Sequence, residues 1–190
     1  MNDTITLIQS NHWQASTTQH YLSKLKDTVR VPGCQWFHIG STSIPNIACK
    51  PILDLLLAVP EPDGLEQLDQ QSQAFEKLGF EIMGEFGIAG RRYFRKLDHN
   101  GERLVHLHAF LTHSEGMLRH LAFRDYLREF PTIAAEYSHL KRQLHDTFQG
   151  DREAYMDGKH DFIQRTEKDA LQWLTERSKN NTQVTDFTEL

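Results

Sequence analysis

The residue types that suggest chemistry in this sequence are one carboxylate and two imidazoles. Asp54 stands alone in the apolar run "ILDLLLAV" (52–59), while His106 and His108 alternate with apolar residues in "RLVHLHAFL" (103–111). Residues two apart on a strand point to the same side, with Cα atoms about 6–7 Å apart. If the two runs form neighbouring strands, the three side chains converge on a set that suits a divalent transition metal.

We expect Asp54, His106 and His108 to bind that metal and to carry any catalytic step. A carboxylate in a strand that is buried on both faces needs a cation or a ligand beside it, because its desolvation is costly. Three other interpretations remain open at this point. Asp54 forms a structural salt bridge with Lys50 or an arginine, it orients one imidazole by a hydrogen bond, or the histidines are solvated on an edge strand.

A second chemical feature is the hydroxyl-rich turn "HIGSTS", which precedes the strand of the lone carboxylate. Gly40 permits an unusual backbone angle, and Ser41 and Thr42 offer hydroxyl and backbone N–H groups of the kind that bind phosphate. Lys50 follows a few residues later and supplies positive charge. The pattern predicts an anion cradle made by these four residues, and an ordinary turn of the same composition is the alternative.

Three arginines are candidates for further contacts to an anion. The segment "RRYFR" places Arg91 and Arg95 on one face of a strand, where two guanidinium forks would clamp a phosphate or carboxylate. An exposed edge strand with solvated charges is the alternative. Arg124 lies in the helical segment "FRDYLR", where it either supplies charge to the anion cradle or forms a structural ion pair, and Asp125 is expected to face elsewhere.

Two later helical segments are expected to contribute mainly to packing. "HLKRQLH" predicts a solvated face with Leu140 and Leu144 turned inward. Tyr155, Lys159 and Phe162 share helical spacing, with Phe162 expected in the core and Lys159 expected near the site.

The elements that position these residues follow from hydrophobic periodicity and from turn signals. Apolar runs predict strands at 5–9, 34–39, 52–59, 80–86, 91–97 and 103–111. Helical periodicity predicts helices at 14–30, 64–78, 115–129, 131–148 and beyond Asp151 to about 177. We therefore expect an α/β (α+β) fold, with a mixed sheet of about five strands, flanking helices and a helical C-terminal region after Ser114.

Composition restricts the partners and the compartment. The 190 residues carry a formal charge of −5 with histidine neutral, so no extended nucleic-acid binding is expected. No run approaches the ~20 apolar residues of a membrane span, and the first residues lack the pattern of a signal peptide. The two cysteines, Cys34 and Cys49, cannot build a disulfide framework. We expect a cytoplasmic protein without membrane association.

The spacing between the turn and the lone carboxylate resembles a known fingerprint. "GS", a spacer of twelve residues, and an aspartate between apolar residues on the next strand are similar to the polymerase-β-type nucleotidyltransferase superfamily. More narrowly, the chain resembles the GrpB family of bacterial proteins, which belongs to that fold group. The segments that carry this resemblance are "HIGSTSIPNIACKPILDLLLAV" (38–59), "RRYFRK" (91–96), "VHLHAF" (105–110), "LAFRDYLREFP" (121–131) and "YMDGKHDFI" (155–163).

The resemblance implies a single nucleotidyltransferase-like domain over residues 1–178, followed by a polar tail over residues 179–190. It also implies that Gly40 and Ser41 hold the phosphates of a nucleotide and that Asp54 is a ligand of a divalent metal. The expected cofactor is Mg²⁺ or Mn²⁺ ahead of Zn²⁺.

The chain departs from the superfamily at the other two catalytic carboxylates. The second acidic position is Leu56, and no acid stands in "RLVHLHAFL", although two-metal transfer needs ligands for ions about 4 Å apart. We expect a protein that binds a nucleotide or another phosphorylated small molecule, with nucleotidyl transfer as the leading reaction. The alternatives are a non-catalytic nucleotide or anion-binding module, and a metal-dependent enzyme of another class that uses the two histidines.

Overall fold

The apolar runs form strands in a computed structural model that describes residues 6–13, 15–180 and 187. In chain order the strands are β1 (Ile8–Gln9), β2 (Gln35–Ile39), β3 (Ala48–Cys49), β4 (Leu53–Val59), β5 (Phe80–Ile82), β6 (Arg92–Leu97) and β7 (Arg103–Leu111). Five of them form one sheet in the order β2-β4-β7-β6-β5, and β1 pairs separately with β3. The β4–β7 pair is parallel and its other neighbour pairs are antiparallel, so the sheet is mixed, as predicted.

The helices are α1 (Ala15–Thr28), α2 (Gly64–Asp69), α3 (Ser72–Lys77), α4 (Glu115–Glu129), α5 (Pro131–Phe148), α6 (Arg152–Asp157) and α7 (His160–Asn180). The predicted mixed sheet, flanking helices and helical C-terminal region are therefore confirmed. Within the described part of the chain, no helix combines the length and the apolar character that crossing a membrane requires. Residues 5 and 14, which begin a predicted strand and a predicted helix, and most of the predicted tail lie outside the described residues.

The described residues divide into two compact units. The sheet unit comprises residues 15–40 and 52–118, and the helical unit comprises residues 6–13, 41–51 and 119–180 together with residue 187. The five-stranded sheet, α1, α2 and α3 belong to the sheet unit, whereas the β1–β3 pair, α5, α6 and α7 belong to the helical unit.

The centre of the sheet unit is formed by β4 and β7. Leu55 and Leu57 in β4 have no exposed surface, as expected for a strand that is apolar on both faces. In β7, buried Leu107 alternates with the half-buried His106 and His108. The period of two residues therefore places both imidazoles on the less buried side of β7.

The helical unit has its own apolar core, formed by Ile44, Ile47, Leu127, Ala134, Tyr137 and Phe162. The rings of Tyr137 and Phe162 stack with centroids 4.9 Å apart, which confirms the predicted core position of Phe162. Arg128 Nε donates to the carbonyl of Ser43 at 2.9 Å, so the segment after Gly40 is bonded to α4.

Two predicted helices are interrupted. The helix predicted at 64–78 is divided into α2 and α3. Between them lies Gln71, whose side chain accepts from the N–H of Arg30 at 2.6 Å and donates to its carbonyl at 2.9 Å. The last predicted helix is divided into α6 and α7 next to Gly158. Glycine is a weak helix former, and here it lies against the end of the Leu144 side chain, whose Cδ2 would be 2.4 Å from a Cβ at residue 158.

The strand predicted at 80–86 is also shorter than expected, because β5 ends at Ile82. The chain then enters a loop, residues 84–90, in which the backbone takes left-handed conformations. Three of its glycines have positive φ, at 60°, 82° and 74° for Gly84, Gly87 and Gly90. Such glycines end a regular strand ladder, and the 84–90 loop connects β5 to β6.

Candidate functional site

Parallel pairing of β4 with β7 brings the predicted carboxylate and imidazoles together. The Cα of Asp54 is in register with His106, and His106 Nδ1 lies 3.0 Å from Asp54 Oδ1. One ligand atom each from Asp54, His106 and His108 can be chosen so that all three lie within 4.8 Å of one another. The predicted convergence of these side chains, called the imidazole cluster below, is confirmed, and metal binding by it remains a prediction.

The hydrogen bond to Asp54 determines which nitrogen of His106 is available. An ionised carboxylate only accepts, so Nδ1 of His106 donates and Nε2 of the neutral ring keeps its lone pair. Nε2 is buried and, among the described residues, has no hydrogen-bond partner. A buried polar atom without a partner costs about 1–3 kcal/mol. A cation or a donor from a ligand would therefore stabilise this atom.

His108 has a different neighbour, because Arg91 Nη1 lies 3.4 Å from His108 Nδ1. A guanidinium can only donate, so Nδ1 is the acceptor and the neutral His108 ring carries its proton on Nε2. Coordination of a metal by His108 requires this contact to open. The contact is long, and a hydrogen bond of that length is weak, so opening it costs little.

Tyr93 adjoins both imidazoles, although it was not among the predicted site residues. Its ring centroid lies 5.6 Å from that of His106 and 5.1 Å from that of His108. The guanidinium carbon of Arg91 lies 4.9 Å from the Tyr93 ring centre, within cation–π distance. The signal that identifies Tyr93 is its position two residues after Arg91, on the same strand face.

The predicted arginine clamp consists of side chains that already bind protein groups. Arg91 is 6% exposed, and it donates to the carbonyls of Glu85 at 3.1 Å and Phe86 at 2.7 Å. Arg95 is in register with His106 and forms an ion pair with Glu81. Arg91 thereby anchors the 84–90 loop, which the sequence pattern did not indicate.

Gly40 lies against the carboxylate of Asp54. Gly40 has a φ of +69°, and a Cβ built on it would be 2.3 Å from Asp54 Oδ2. Glycine is required at this turn both for the left-handed backbone and for the close approach. The glycine turn and the lone aspartate are therefore in steric contact within the sheet unit.

The position on β4 at which the resemblance implies a second carboxylate holds a buried apolar residue. Leu56 is in register with His108 and has no exposed surface. The sheet face therefore presents one carboxylate and two imidazoles where a two-metal site would hold several acids. This arrangement offers ligands for one ion.

In the helical unit, Ser41 and Thr42 belong to a single 3₁₀ turn. Lys141 Nζ donates to Ser41 Oγ at 3.0 Å and lies 4.2 Å from the centre of the Tyr137 ring. Lys141 is only 2% exposed, so the expectation of a solvated lysine in "HLKRQLH" is wrong. Its position four residues after Tyr137, on the same helix face, is the signal that identifies it.

Two more lysines of the helical unit flank one buried tyrosine. Lys50 Nζ and Lys159 Nζ lie 4.8 Å and 4.7 Å from the centre of the Tyr155 ring. Burial, followed by the charge of nearby Cys49, raises the pKa of Tyr155 to about 12. The Tyr155 hydroxyl therefore remains protonated at neutral pH and the ring provides a π face for both cations.

Arg124 forms the ion pair that was one of its two predicted roles. Its Nε donates to Asp125 Oδ1 at 2.6 Å and its Nη2 donates to Asp125 Oδ2 at 3.1 Å. The expectation that Asp125 faces elsewhere is wrong, because a guanidinium that is 2% exposed needs a carboxylate beside it. Burial, followed by the charge of Arg124, lowers the pKa of Arg128.

The predicted site residues are divided between the two units. The sheet unit holds Gly40, Asp54, Arg91, Arg95, His106 and His108, and the helical unit holds Ser41, Thr42, Lys50 and Arg124. Within the sheet unit the structure groups the imidazole cluster with Gly40, Arg91 and Tyr93. Within the helical unit it groups Ser41 with Lys141.

The donor set of the imidazole cluster fits a divalent transition metal. Imidazole and carboxylate together suit Mn²⁺ or Zn²⁺, whereas Mg²⁺ prefers oxygen ligands. The buried Nε2 of His106, which has no hydrogen-bond partner in the described part of the chain, supports this fit. When bound, such an ion polarises a phosphoryl or carbonyl oxygen as a Lewis acid.

A sequence model of the family described as GrpB protein matches residues 4–169 of this chain. The chain belongs to the GrpB family. Among curated proteins it is similar to the UPF0157 protein YqkA of Bacillus subtilis (strain 168), with 43% identity over 144 residues. The match covers 76% of this chain and 40% of YqkA, so the chain spans less than half the length of that relative.

Solved structures agree with the family assignment. The crystal structure of the conserved protein GrpB from Enterococcus faecalis is similar with a TM-score of 0.77 and 40% identity, over 88% of this chain and 98% of that one. The Cid1 poly(U) polymerase is a distant match, with a TM-score of 0.47, 11% identity, and coverage of 64% of this chain and 39% of that one.

Proposed function

We propose that this GrpB-family protein binds a nucleotide or another phosphorylated ligand together with one divalent transition-metal ion, held by Asp54, His106 and His108. The observation that carries the proposal is the cluster itself, in which one ligand atom from each of the three side chains lies within 4.8 Å of the other two. A cation among these atoms would offset the desolvation of Asp54, and its coordination by both Asp54 and His106 requires the hydrogen bond between them to open.

A phosphorylated ligand is favoured because the cluster provides three protein ligands and leaves coordination positions open for oxygen atoms of a ligand. A separate observation in the helical unit supports anion binding, since Lys141 places an ammonium group on the Ser41 hydroxyl at 3.0 Å. Lys141 therefore joins the residues of the helical unit that are predicted to contact an anion, which are Ser41, Thr42, Lys50 and Arg124. The residues of the sheet unit with the same predicted role are Gly40, Arg91 and Arg95.

Two-metal nucleotidyl transfer is less well supported than binding. Leu56 occupies the place of the second carboxylate and is fully buried, so the sheet face has ligands for one ion. The catalytic alternative is a metal-dependent reaction of another class at a phosphoryl group, with Asp54, His106 and His108 as metal ligands. The donor set of two imidazoles and one carboxylate is the observation that favours it.

Metal binding is tested on protein purified without an affinity tag, by metal analysis followed by calorimetric titration with Mn²⁺, Zn²⁺ and Mg²⁺. We expect one ion per chain, with Mn²⁺ or Zn²⁺ bound more tightly than Mg²⁺. Asp54→Asn, His106→Ala and His108→Ala should each weaken binding at least tenfold. His99→Ala, which removes an exposed turn histidine, is the matched control and should leave binding unchanged.

Ligand binding is then tested by thermal shift with nucleoside triphosphates and inorganic triphosphate, each with Mn²⁺. A shift that requires the metal and disappears in His106→Ala supports the proposal. Separation of the products from labelled ATP distinguishes nucleotidyl transfer from hydrolysis and from binding alone. Metal affinity in His106→Ala equal to that of the parent protein would place the ion elsewhere.

A further inference from the structure

Phe86 is an exposed aromatic residue beside the imidazole cluster. Its side chain lies at the 84–90 loop and is 58% exposed. The Phe86 ring is stacked on Tyr93, with centroids 5.4 Å apart and an interplanar angle of 29°. Tyr93 in turn contacts both imidazoles, so a single ring separates Phe86 from the candidate metal ligands.

The backbone at Phe86 is held in a conformation that phenylalanine rarely adopts. Its φ is +44°, and positive φ in a bulky residue is a marked exception. Strained backbone of this kind persists where the surroundings enforce it, often at ligand clamps. Here the buried guanidinium of Arg91 donates to the Phe86 carbonyl at 2.7 Å and so anchors this part of the loop.

The 84–90 loop around Phe86 is open at its glycines. A Cβ built on any of the loop glycines, Gly84, Gly87 or Gly90, would have no heavy atom within 4 Å. The loop thus combines an anchored backbone, an open surface and one exposed aromatic face. A rigid exposed ring of this kind suits stacking with a planar group, because aromatic faces stack on nucleobases without regard to base identity.

We infer that Phe86 is the platform on which the planar base of a nucleotide stacks while its phosphates bind the metal ion of the imidazole cluster. This inference rests on the proposed function and restricts the ligand to a nucleotide, since a phosphorylated ligand without an aromatic ring cannot stack on Phe86. Stacking of a base on an aromatic side chain is worth about 1–3 kcal/mol. Phe86 then selects ligands that carry a planar base and contributes nothing to metal binding.

The experiment compares ATP, GTP and UTP with inorganic triphosphate, all with saturating Mn²⁺, in calorimetric titrations of the full chain. Phe86→Ala should weaken nucleotide binding about 5- to 150-fold and leave the affinities for Mn²⁺ and inorganic triphosphate unchanged. Phe86→Trp should bind nucleotides about as tightly as the parent protein. The fluorescence that the added indole contributes should be quenched by nucleotide and not by inorganic triphosphate. Ile82→Ala, at another exposed apolar residue, is the matched control and should behave as the parent protein.

The outcomes separate this inference from the function on which it rests. Nucleotides that bind no more tightly than inorganic triphosphate, or as tightly to Phe86→Ala as to the parent, overturn the stacking role and leave the metal and phosphate site standing. Failure of the parent protein to bind Mn²⁺ or inorganic triphosphate overturns the proposed function, and the stacking role with it.

Discussion

Gly40 and Asp54 lie so close together that no side chain fits between them. A Cβ on Gly40 would be 2.3 Å from Asp54 Oδ2 and 2.8 Å from both Cβ and Cγ of Asp54. The glycine of the hydroxyl-rich turn and the lone carboxylate of β4 thus form one packed unit, across the antiparallel pairing of β2 with β4. The orientation of the Asp54 carboxylate therefore depends on the absence of a side chain at residue 40.

Gly40→Ala should displace the Asp54 carboxylate. Alanine at a positive φ costs about 1–2 kcal/mol, and the clash adds to this cost. Gly101 also has a positive φ but has no atom within 4 Å of its hypothetical Cβ, so Gly101→Ala measures the backbone cost alone. In urea denaturation, Gly40→Ala should lose more unfolding free energy than Gly101→Ala, and its Mn²⁺ affinity should fall about 10- to 100-fold.

Equal losses of unfolding free energy in Gly40→Ala and Gly101→Ala would show that the turn adjusts without displacing Asp54. Metal affinity unchanged in Gly40→Ala would mean that the position of the Asp54 carboxylate does not matter for the ion.

Lys141→Met should weaken the binding of inorganic phosphate and of inorganic triphosphate. The substitution keeps the apolar stem of the buried side chain and removes the ammonium group that donates to Ser41. A hydrogen bond from this ammonium group to a bound phosphate would contribute about 1.5–3 kcal/mol, so its removal corresponds to a loss of affinity of about tenfold or more. Arg142→Met changes an exposed cation of the same helix and should have little effect. Equal effects of the two variants in calorimetry would assign the loss to net charge instead of to this contact.

Arg91→Met should loosen the 84–90 loop. Arg91 donates to the carbonyls of Glu85 and Phe86, and a methionine has no donor to replace these bonds. Backbone amides of the loop should exchange with deuterium faster, as measured by mass spectrometry of proteolytic fragments. Arg92→Met removes an ion pair with Asp69 and serves as the neighbouring control. Exchange in the loop that is unchanged in Arg91→Met would contradict the anchoring role.

Tyr155→Phe should reduce the loss of stability at alkaline pH. The pKa of Tyr155 is raised by burial from 10.0 to about 12, so the folded state keeps a proton that the unfolded chain loses. The stability that the folded state gains by retaining this proton is fully present below pH 10 and is lost as the pH rises to about 12. Denaturation at a series of pH values should show the parent losing roughly 1–3 kcal/mol more than the variant across this interval. Parallel pH profiles of the two proteins would indicate that Tyr155 is not held protonated.

Local patterns predicted much of the sheet and part of the candidate site. The continuous apolar run identified β4 as a strand covered on both faces, and alternation in β7 placed His106 and His108 on one side. These inferences succeed because the geometry of a strand fixes which side chains share a face, whatever the rest of the fold does. A carboxylate within a buried strand likewise needs a partner in any fold.

Only the tertiary structure decided which elements meet. The pairing of β4 with β7 joins residues more than 50 positions apart, as in the hydrogen bond between Asp54 and His106, and no local period encodes it. Burial of Lys141 against Ser41, 100 positions earlier, is decided in the same way. The sequence by itself determined the types and faces of the candidate ligands. Their mutual distances were decided by packing, because a side chain's neighbours depend on distant segments that local periodicity does not specify.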